Sequence, residues 1–204
     1  MDSTMFDERI RAILPRAAKP VAGVLSRAGV TPNSVSVVAF AASLAAAALV
    51  ATGLPWPGIG VWLVSRVGDG LDGILARETG RSTAFGGYLD ITLDMTAYSL
   101  MVVGFAVAHP DLGIVWSVIL LGYALAITTT LALSNAAAAA GRRISDTHRT
   151  FQFITGMAEA GETTVMYVLW VVFPGWLSWL AWLWVAMICI TVVQRSWLAH
   201  HVLR

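Results

Sequence analysis

Long apolar stretches separated by short polar or proline-containing breaks run through most of this 204-residue chain. A helix needs about 20 apolar residues to cross the hydrocarbon core of a bilayer. The pattern therefore predicts an all-α integral membrane protein with six transmembrane helices. We place them at residues 33–53, 56–77, 87–108, 112–139, 151–173 and 175–199. The second and fifth are the least hydrophobic, because they carry acidic residues, and a simple hydropathy scan could miss them.

The first 30 residues have a different pattern, in which apolar side chains such as Phe6 and Ile10 alternate with Arg and Lys. No continuous apolar core of a secretory signal is present. We predict an amphipathic interfacial helix, interrupted at Pro15 and Pro20, that lies on anionic lipid head groups. A disordered basic tail is the alternative. The predicted organisation is an amphipathic juxtamembrane segment at 1–30 and a six-helix domain at 31–204.

Composition supports a membrane protein and the basic residues predict its orientation. The chain is 57% apolar and 12% charged, whereas a soluble domain has about 25% charged residues. Lys and Arg cluster before the first predicted span, in the two loops after the second and fourth spans, and at the C-terminus. The positive-inside rule then places both termini and these loops in the cytoplasm. We predict a multi-pass protein of the inner (cytoplasmic) membrane that has no nucleic-acid polymer as a partner.

Four aspartates, Asp69, Asp72, Asp90 and Asp94, lie on or inside apolar stretches. A charged side chain near the bilayer centre costs about 2.5–3.5 kcal/mol. Their i,i+3 and i,i+4 spacings put each pair on one helix face, and carboxylates with substrate phosphates are typical Mg²⁺ ligands. The sequence predicts a site at the cytoplasmic face for two Mg²⁺ ions, about 4 Å apart in such centres. The alternative is ion pairing with Arg66, Arg77 and Arg81.

Between Asp69 and Asp94 the chain also carries small and basic residues at fixed spacing, in the pattern D-x-x-D-G-x-x-A-R-x8-G-x3-D-x3-D. This pattern resembles the signature of the CDP-alcohol phosphotransferase (CDP-alcohol phosphatidyltransferase) family, and the chain looks like a less characterised bacterial branch of it. The eight matching positions are Asp69, Asp72, Gly73, Ala76, Arg77, Gly86, Asp90 and Asp94. The resemblance implies an enzyme that transfers a phosphatidyl group from CDP-diacylglycerol to an acceptor alcohol and releases CMP, in phospholipid biosynthesis.

The resemblance also implies roles for single residues. Asp69, Asp72 and Asp90 match metal ligands, and Asp94 matches the catalytic base, which can also touch the second metal. The positions that match contacts to the CDP part of the donor are Asn33, in the segment Thr31-Pro32-Asn33, and Gly73, Arg77 and Thr83. Thr31-Pro32-Asn33 could instead be only a helix start, and Thr83 only a loop hydroxyl. The implied cofactor is a pair of Mg²⁺ ions, with Mn²⁺ as an alternative, and the implied assembly is a homodimer.

The acceptor alcohol is not indicated by these residues. Relatives that use sugar phosphates or glycerophosphate carry basic residues near the end of span four and an A-E-R-x-x-R-like stretch in span five. This chain has Ser134-Asn135 and a run of alanines in the first place, and Glu159 and Glu162 without the arginines in the second. A doubly charged acceptor needs cationic partners, so the missing arginines argue against a sugar-phosphate acceptor. The basic residues of the cytoplasmic loop could substitute for them: Arg142, Arg143, His148 and Arg149. Glu159 and Glu162 could bind an acceptor's hydroxyls or amine, or pair with Arg66 or Arg195.

Two other classes of protein fit some of these observations. Intramembrane acids also mark ion pathways, so a divalent-cation or proton-coupled transporter is the alternative function. Against it, the acids cluster at one end of spans two and three, and only Asp111 lies near the opposite face. A structural membrane protein that has lost catalysis is the third class, and the intact Asp94 argues against it.

Overall fold

The computed structural model of the protein describes residues 20–141 and 160–204, and no strand occurs in these two ranges. Residues 20–27 form a short helical segment. The six longer helices are α1 (Pro32–Ala51), α2 (Pro55–Glu78), α3 (Ala84–Ala108), α4 (Gly113–Ala139), α5 (Ala160–Val172) and α6 (Leu177–Leu203). Short 3₁₀ turns at Pro110–Leu112 and Pro174–Trp176 precede α4 and α6. The predicted breaks at Gly53 to Pro57, His109-Pro110 and Pro174-Gly175 therefore separate helices.

Hydropathy separates these helices into two groups. Four helical stretches are long and apolar enough to cross a membrane: Pro32–Ala51, Ala84–Ala108, Pro110–Ala139 and Pro174–Leu203. Helix α2 has 24 residues but carries the acids and arginines of the motif, and α5 has 13 residues. These are the second and fifth predicted spans, the two that a hydropathy scan was expected to miss. The protein is all-α and has four candidate membrane-spanning helices in the part described, so six spans stay a prediction.

Two segments of the sequence predictions lie outside the described residues. One is 1–19, most of the predicted interfacial helix, and the other is 142–159, which includes the basic loop and Glu159. The start of the fifth predicted span, at 151–159, falls in the second segment.

The start of α1 shows why the chain enters a helix at Thr31. The backbone N–H of Ser34 donates to Thr31 Oγ1 at 3.2 Å, and the N–H of Thr31 donates to Ser34 Oγ at 3.1 Å. This reciprocal capping satisfies two N–H groups that a helix start otherwise leaves without acceptors. Pro32 occupies the first helical position, where a missing N–H costs nothing. Thr31-Pro32-Asn33 therefore does start a helix, and the predicted contact of Asn33 with the nucleotide stays a prediction.

The chain divides into two compact units, and the first consists of Met1–Ala46 and Gly60–Ala97. Within it α1 and α2 approach closely at Gly68, where a Cβ atom would lie 3.1 Å from Cβ of Ala39. The helical segment 20–27 contributes the buried Ala22, which packs with Ile74 and Leu75 of α2. Small residues thus set the spacing of the helices that carry the acidic motif.

The second unit consists of Ala47–Ile59 and Tyr98–Arg204 and has an aromatic core. Phe105 and Trp116 each pack edge-on against Trp170 with ring centroids 5.1 Å apart. A Cβ at Gly122 of α4 would lie 2.7 Å from Cγ2 of Ile188 of α6, so these two helices are in close contact. Trp170 and Trp184 are buried, whereas Trp176 and Trp179 are exposed. The tryptophans of this region therefore serve both core packing and the outer surface.

Candidate active site

A tight connection between α2 and α3 brings the two halves of the acidic motif together. Helix α2 ends at Glu78 and is followed closely by Gly80, whose φ of +64° lies in the left-handed region that favours glycine. Its N–H donates to the Arg77 carbonyl, and the next N–H, of Arg81, donates to the Ala76 carbonyl at 2.9 Å. Three residues later Thr83 caps α3, because its Oγ1 accepts the N–H of Gly86 at 3.0 Å. Thr83 is therefore a helix cap and not only a loop hydroxyl.

Three of the four predicted aspartates form one group. Asp69, Asp72 and Asp90 each offer a carboxylate oxygen, and these oxygens lie within 4.8 Å of one another. Asp72 is 6% exposed and accepts a short hydrogen bond from the hydroxyl of Ser36 on α1. Carboxylate oxygens so close together repel one another unless a cation lies between them. The donor set, all oxygen, is the type that Mg²⁺ and Mn²⁺ take.

Asp94 lies outside this group and has a different partner. Its Oδ1 accepts a hydrogen bond from Nη1 of Arg66 at 2.5 Å, and the same nitrogen lies 3.8 Å from Oδ2 of Asp69. Arg66 therefore forms the ion pairs expected under the alternative interpretation, with Asp94 and Asp69. A metal site at Asp69, Asp72 and Asp90 stays a prediction, which the short distances between their oxygens support. The role of Asp94 as base and second-metal ligand stays a prediction.

A cavity of about 220 Å³ opens beside the carboxylate group. It is lined from α1, α2, and the connection and first turns of α3. Its residues are Pro32, Asn33, Ser36, Asp72, Gly73, Ala76, Arg77, Arg81, Ser82, Thr83, Gly86, Gly87 and Asp90. All four residues predicted to contact the nucleotide, Asn33, Gly73, Arg77 and Thr83, are therefore in one cavity. The lining includes the carboxylates of Asp72 and Asp90 and the arginines Arg77 and Arg81, which suit phosphate.

Two glycines of the motif make room for this arrangement. A Cβ at Gly86 would lie 3.1 Å from Thr83 Oγ1 and 3.4 Å from Asn33 Oδ1. A Cβ at Gly73 would lie 3.4 Å from Nη1 of Arg77, so the guanidinium folds back over the glycine. The absence of side chains at these two positions lets polar atoms from α1, α2 and the connection to α3 converge.

Sequence reasoning missed some of the cavity and left some residues undecided. Ser36 was not predicted, although it follows Asn33 by one helical turn, which is the signal that could have found it. Arg81 was considered only as an ion-pair partner and lines the cavity. In the second unit Glu162 is exposed, and Arg195 donates to the Ala126 carbonyl and to Thr130 Oγ1. A pairing between Glu162 and Arg195, or binding of an acceptor by Glu162, stays a prediction.

The acidic motif, the three-carboxylate group and the cavity define one class of enzyme. The sequence profile of the CDP-alcohol phosphatidyltransferase family matches residues 29–193. The chain belongs to this family, and the resemblance inferred from the eight motif positions is confirmed.

Individual relatives agree with this assignment over different lengths. Inner membrane protein YnjF of Escherichia coli (strain K12) is 35% identical over 192 residues, which are 93% of this chain and 90% of the relative. Phosphatidylinositol phosphate synthase of Mycobacteroides abscessus is 44% identical over 89 residues, 43% of this chain and 40% of that protein. The match to the synthase therefore has the higher identity of the two but covers less than half of the chain, whereas the match to YnjF covers nearly all of it.

Solved structures extend the similarity to most of the chain. The phosphatidylinositol phosphate synthase of Mycobacterium tuberculosis, crystallised with manganese and citrate, aligns with a TM-score of 0.71 at 26% identity and covers 90% of this chain and 88% of its own. The same enzyme with CDP-DAG bound aligns with a TM-score of 0.67 at 26% identity and covers 90% and 94%. These neighbours show that the fold is that of a known phospholipid-forming enzyme.

Proposed function

We propose that this protein transfers the phosphatidyl group of CDP-diacylglycerol to the hydroxyl of an acceptor alcohol, with release of CMP, in phospholipid biosynthesis. The observation that carries the proposal is the cavity in which Asn33, Gly73, Arg77 and Thr83 lie next to Asp72 and Asp90. A CDP-linked donor needs cationic groups for its phosphates and an oxygen-ligated metal beside them. The lining supplies Arg77 and Arg81 for the first need and carboxylate ligands for the second. The neighbouring crystal structure with CDP-DAG bound supports the choice of donor.

The residues of the chain then have separate tasks in the transfer. Arg77 and Arg81 lie where they can hold the donor's phosphates through charge-assisted hydrogen bonds. The acceptor oxygen attacks the β-phosphorus, the bond from that phosphorus to the oxygen bridging the two phosphorus atoms breaks, and CMP leaves with this oxygen. Asp94 takes the proton of the acceptor hydroxyl as a general base.

The carboxylates supply the metal site. Asp69, Asp72 and Asp90 would hold the first Mg²⁺, and Asp94 together with this group would complete a site for the second, with Mn²⁺ as an alternative. Bound ions of this kind neutralise charge on the pyrophosphate and stabilise the leaving group. The carboxylate oxygens within 4.8 Å of one another support the first site directly, and a neighbour crystallised with manganese supports a divalent ion.

The arrangement in the membrane follows from the positive-inside pattern of the sequence. We place the protein in the inner membrane with six spans, with both termini and the active site on the cytoplasmic side, and with residues 1–30 on the membrane surface. The six-helix domain is 31–204. A homodimer is the assembly we propose, because small residues in α3 and α4 permit close helix contact.

The test is CMP release by the full-length protein in lipid nanodiscs that contain CDP-diacylglycerol. Mg²⁺ and a panel of acceptors are added one at a time: glycerol phosphate, inositol phosphate, inositol, serine and an uncharged lipid alcohol. We expect metal-dependent CMP release with one acceptor class, identified by mass spectrometry of the lipid product. Divalent-cation flux in liposomes, without CMP release under any of these conditions, would favour the transporter instead.

A further inference from the structure

Arg66 of α2 bonds Asp94 in a partly buried place. The side chain of Arg66 is 13% exposed and that of Asp94 is 21% exposed. Their hydrogen bond of 2.5 Å joins Nη1 to Oδ1, and Asp69 lies 3.8 Å from the same nitrogen. Arg66 is not one of the eight positions of the family motif, so the family resemblance assigns it no role.

The guanidinium is held from its other sides by buried groups. Nη2 donates to Ser43 Oγ of α1 at 3.0 Å, and Ser43 Oγ in turn donates to Ser65 Oγ at 3.0 Å. The ring of Trp62 lies 4.5 Å from the guanidinium carbon. Ser43, Ser65 and Trp62 are each at most 1% exposed. A planar guanidinium bonded in fixed directions and stacked on an aromatic ring has little freedom to move.

We propose that Arg66 is a positioning residue for the transfer reaction: it fixes the carboxylate of Asp94 and places a permanent positive charge beside Asp69 and Asp94. The inference deepens the proposed function, on which it rests for the role of Asp94 as base. General-base catalysis requires the base within about 3 Å of the hydroxyl oxygen whose proton it accepts. A carboxylate held by Nη1 of Arg66 meets that requirement better than a freely rotating one.

Loss of Arg66 should change metal binding and turnover in opposite directions. A fixed positive charge a few ångströms from the carboxylate group repels a divalent cation, so its removal should tighten metal binding by about tenfold. The loss of a fixed Asp94 should lower kcat by about 100-fold, as misplacement of a reacting group by 1 Å does. A general disturbance of the fold would instead lower both the metal affinity and kcat.

The experiment compares wild type with Arg66→Gln, Arg66→Lys and Ser43→Ala, all full length in nanodiscs. Mn²⁺ affinity is measured by electron paramagnetic resonance without substrate, and kcat and the KM for CDP-diacylglycerol are measured by CMP release. Arg204→Gln at the exposed C-terminus is the matched control for loss of an arginine. This control should leave the Mn²⁺ affinity, kcat and KM unchanged.

For R66Q we expect Mn²⁺ binding about tenfold tighter and kcat about 100-fold lower at a nearly unchanged KM. R66K should recover part of the turnover, and Ser43→Ala should lower kcat without tightening Mn²⁺ binding. Equal or weaker Mn²⁺ binding by R66Q would overturn the inference, as would a rise of KM with kcat unchanged. The Mn²⁺ measurement needs no turnover. Absence of CMP release in the wild type would therefore refute the proposed function, while the Mn²⁺ affinities would still test the effect of the Arg66 charge on metal binding.

Discussion

Both structural units bury polar side chains among apolar helices, but their hydrogen bonding differs. In the second unit Trp184 Nε1 donates to the Tyr123 hydroxyl at 3.0 Å, and that hydroxyl lies 3.0 Å from the Tyr167 hydroxyl. Tyr167 in turn donates to the Tyr98 carbonyl at 2.9 Å. Each donor from Trp184 to Tyr167 meets an acceptor, so these hydrogen bonds are complete without any ligand.

The first unit differs because its acidic motif brings together groups that, when ionised, only accept hydrogen bonds. Ionised carboxylates have no hydrogen to donate, and Asp69, Asp72 and Asp90 lie within reach of one another. Ser36 bonds Asp72, and Arg66 bonds Asp94. Hydrogen-bonded polar groups in the second unit stabilise the fold by themselves, whereas we propose that the carboxylate group of the first unit receives a cation and its substrate.

The largest effect is expected for Asp94→Asn in the first unit. An amide cannot accept the hydroxyl proton, so kcat should fall by up to about 10⁴-fold. Binding of CDP-diacylglycerol should be kept, because Asp94 does not line the cavity. CMP release and donor binding by the same preparation check the two halves of the prediction. Normal turnover by this variant would remove Asp94 from the mechanism.

Asp72→Asn should have the next largest effect. It removes one charge from the three-carboxylate group and so weakens metal binding, with CMP release lower by about 10²–10³-fold. Raising the Mg²⁺ concentration should restore part of the rate. Asp111→Asn, at an exposed residue of the second unit, is the same chemical change and should leave Mn²⁺ affinity and turnover unaltered. Equal effects of the two variants would mean that Asp72 is not a metal ligand.

Tyr167→Phe tests the second unit, where we expect loss of stability and not of chemistry. Tyr167 is fully buried, and its removal leaves the Tyr98 carbonyl without this donor, at a cost of about 1–3 kcal/mol. The thermal unfolding midpoint in a fixed detergent should fall, with turnover per folded molecule unchanged. Tyr88→Phe, at an exposed tyrosine, should change neither. A fall of kcat in folded Tyr167→Phe would show that the network also serves the reaction.

The smallest effect is expected at Thr83, which has both a structural and a proposed binding role. Thr83→Ala loses the cap of α3, at about 1 kcal/mol, and a contact to the donor, so the KM for CDP-diacylglycerol should rise about 2–10-fold. Thr83→Asp keeps a capping oxygen but adds a negative charge to the cavity. Its stability should stay near that of wild type while its KM rises further. An unchanged KM in both variants would limit Thr83 to capping.

Local structure and the family were predictable from sequence because they depend on near neighbours in the chain. Helix breaks follow from proline and glycine, as at Gly53 and Pro174, and the spacing of Asp69 and Asp72 fixes a shared helix face. The eight motif positions were sufficient to indicate the family, which the profile match confirmed. The grouping of Asp69 and Asp72 with Asp90 was also anticipated, since a connection of few residues joins α2 to α3.

The sequence by itself therefore determined the helices, the acidic motif and the family, and tertiary structure decided which side chains meet. Arg66, Arg77 and Arg81 were equal candidates to pair with the aspartates, and only the packing of α2 against α3 selected Arg66 and Asp94, 28 positions apart. The bond from Ser36 to Asp72, 36 positions apart, was not foreseen. Helical periodicity fixes which face a residue lies on, but the rotation and spacing of neighbouring helices come from contacts such as Gly68 with Ala39.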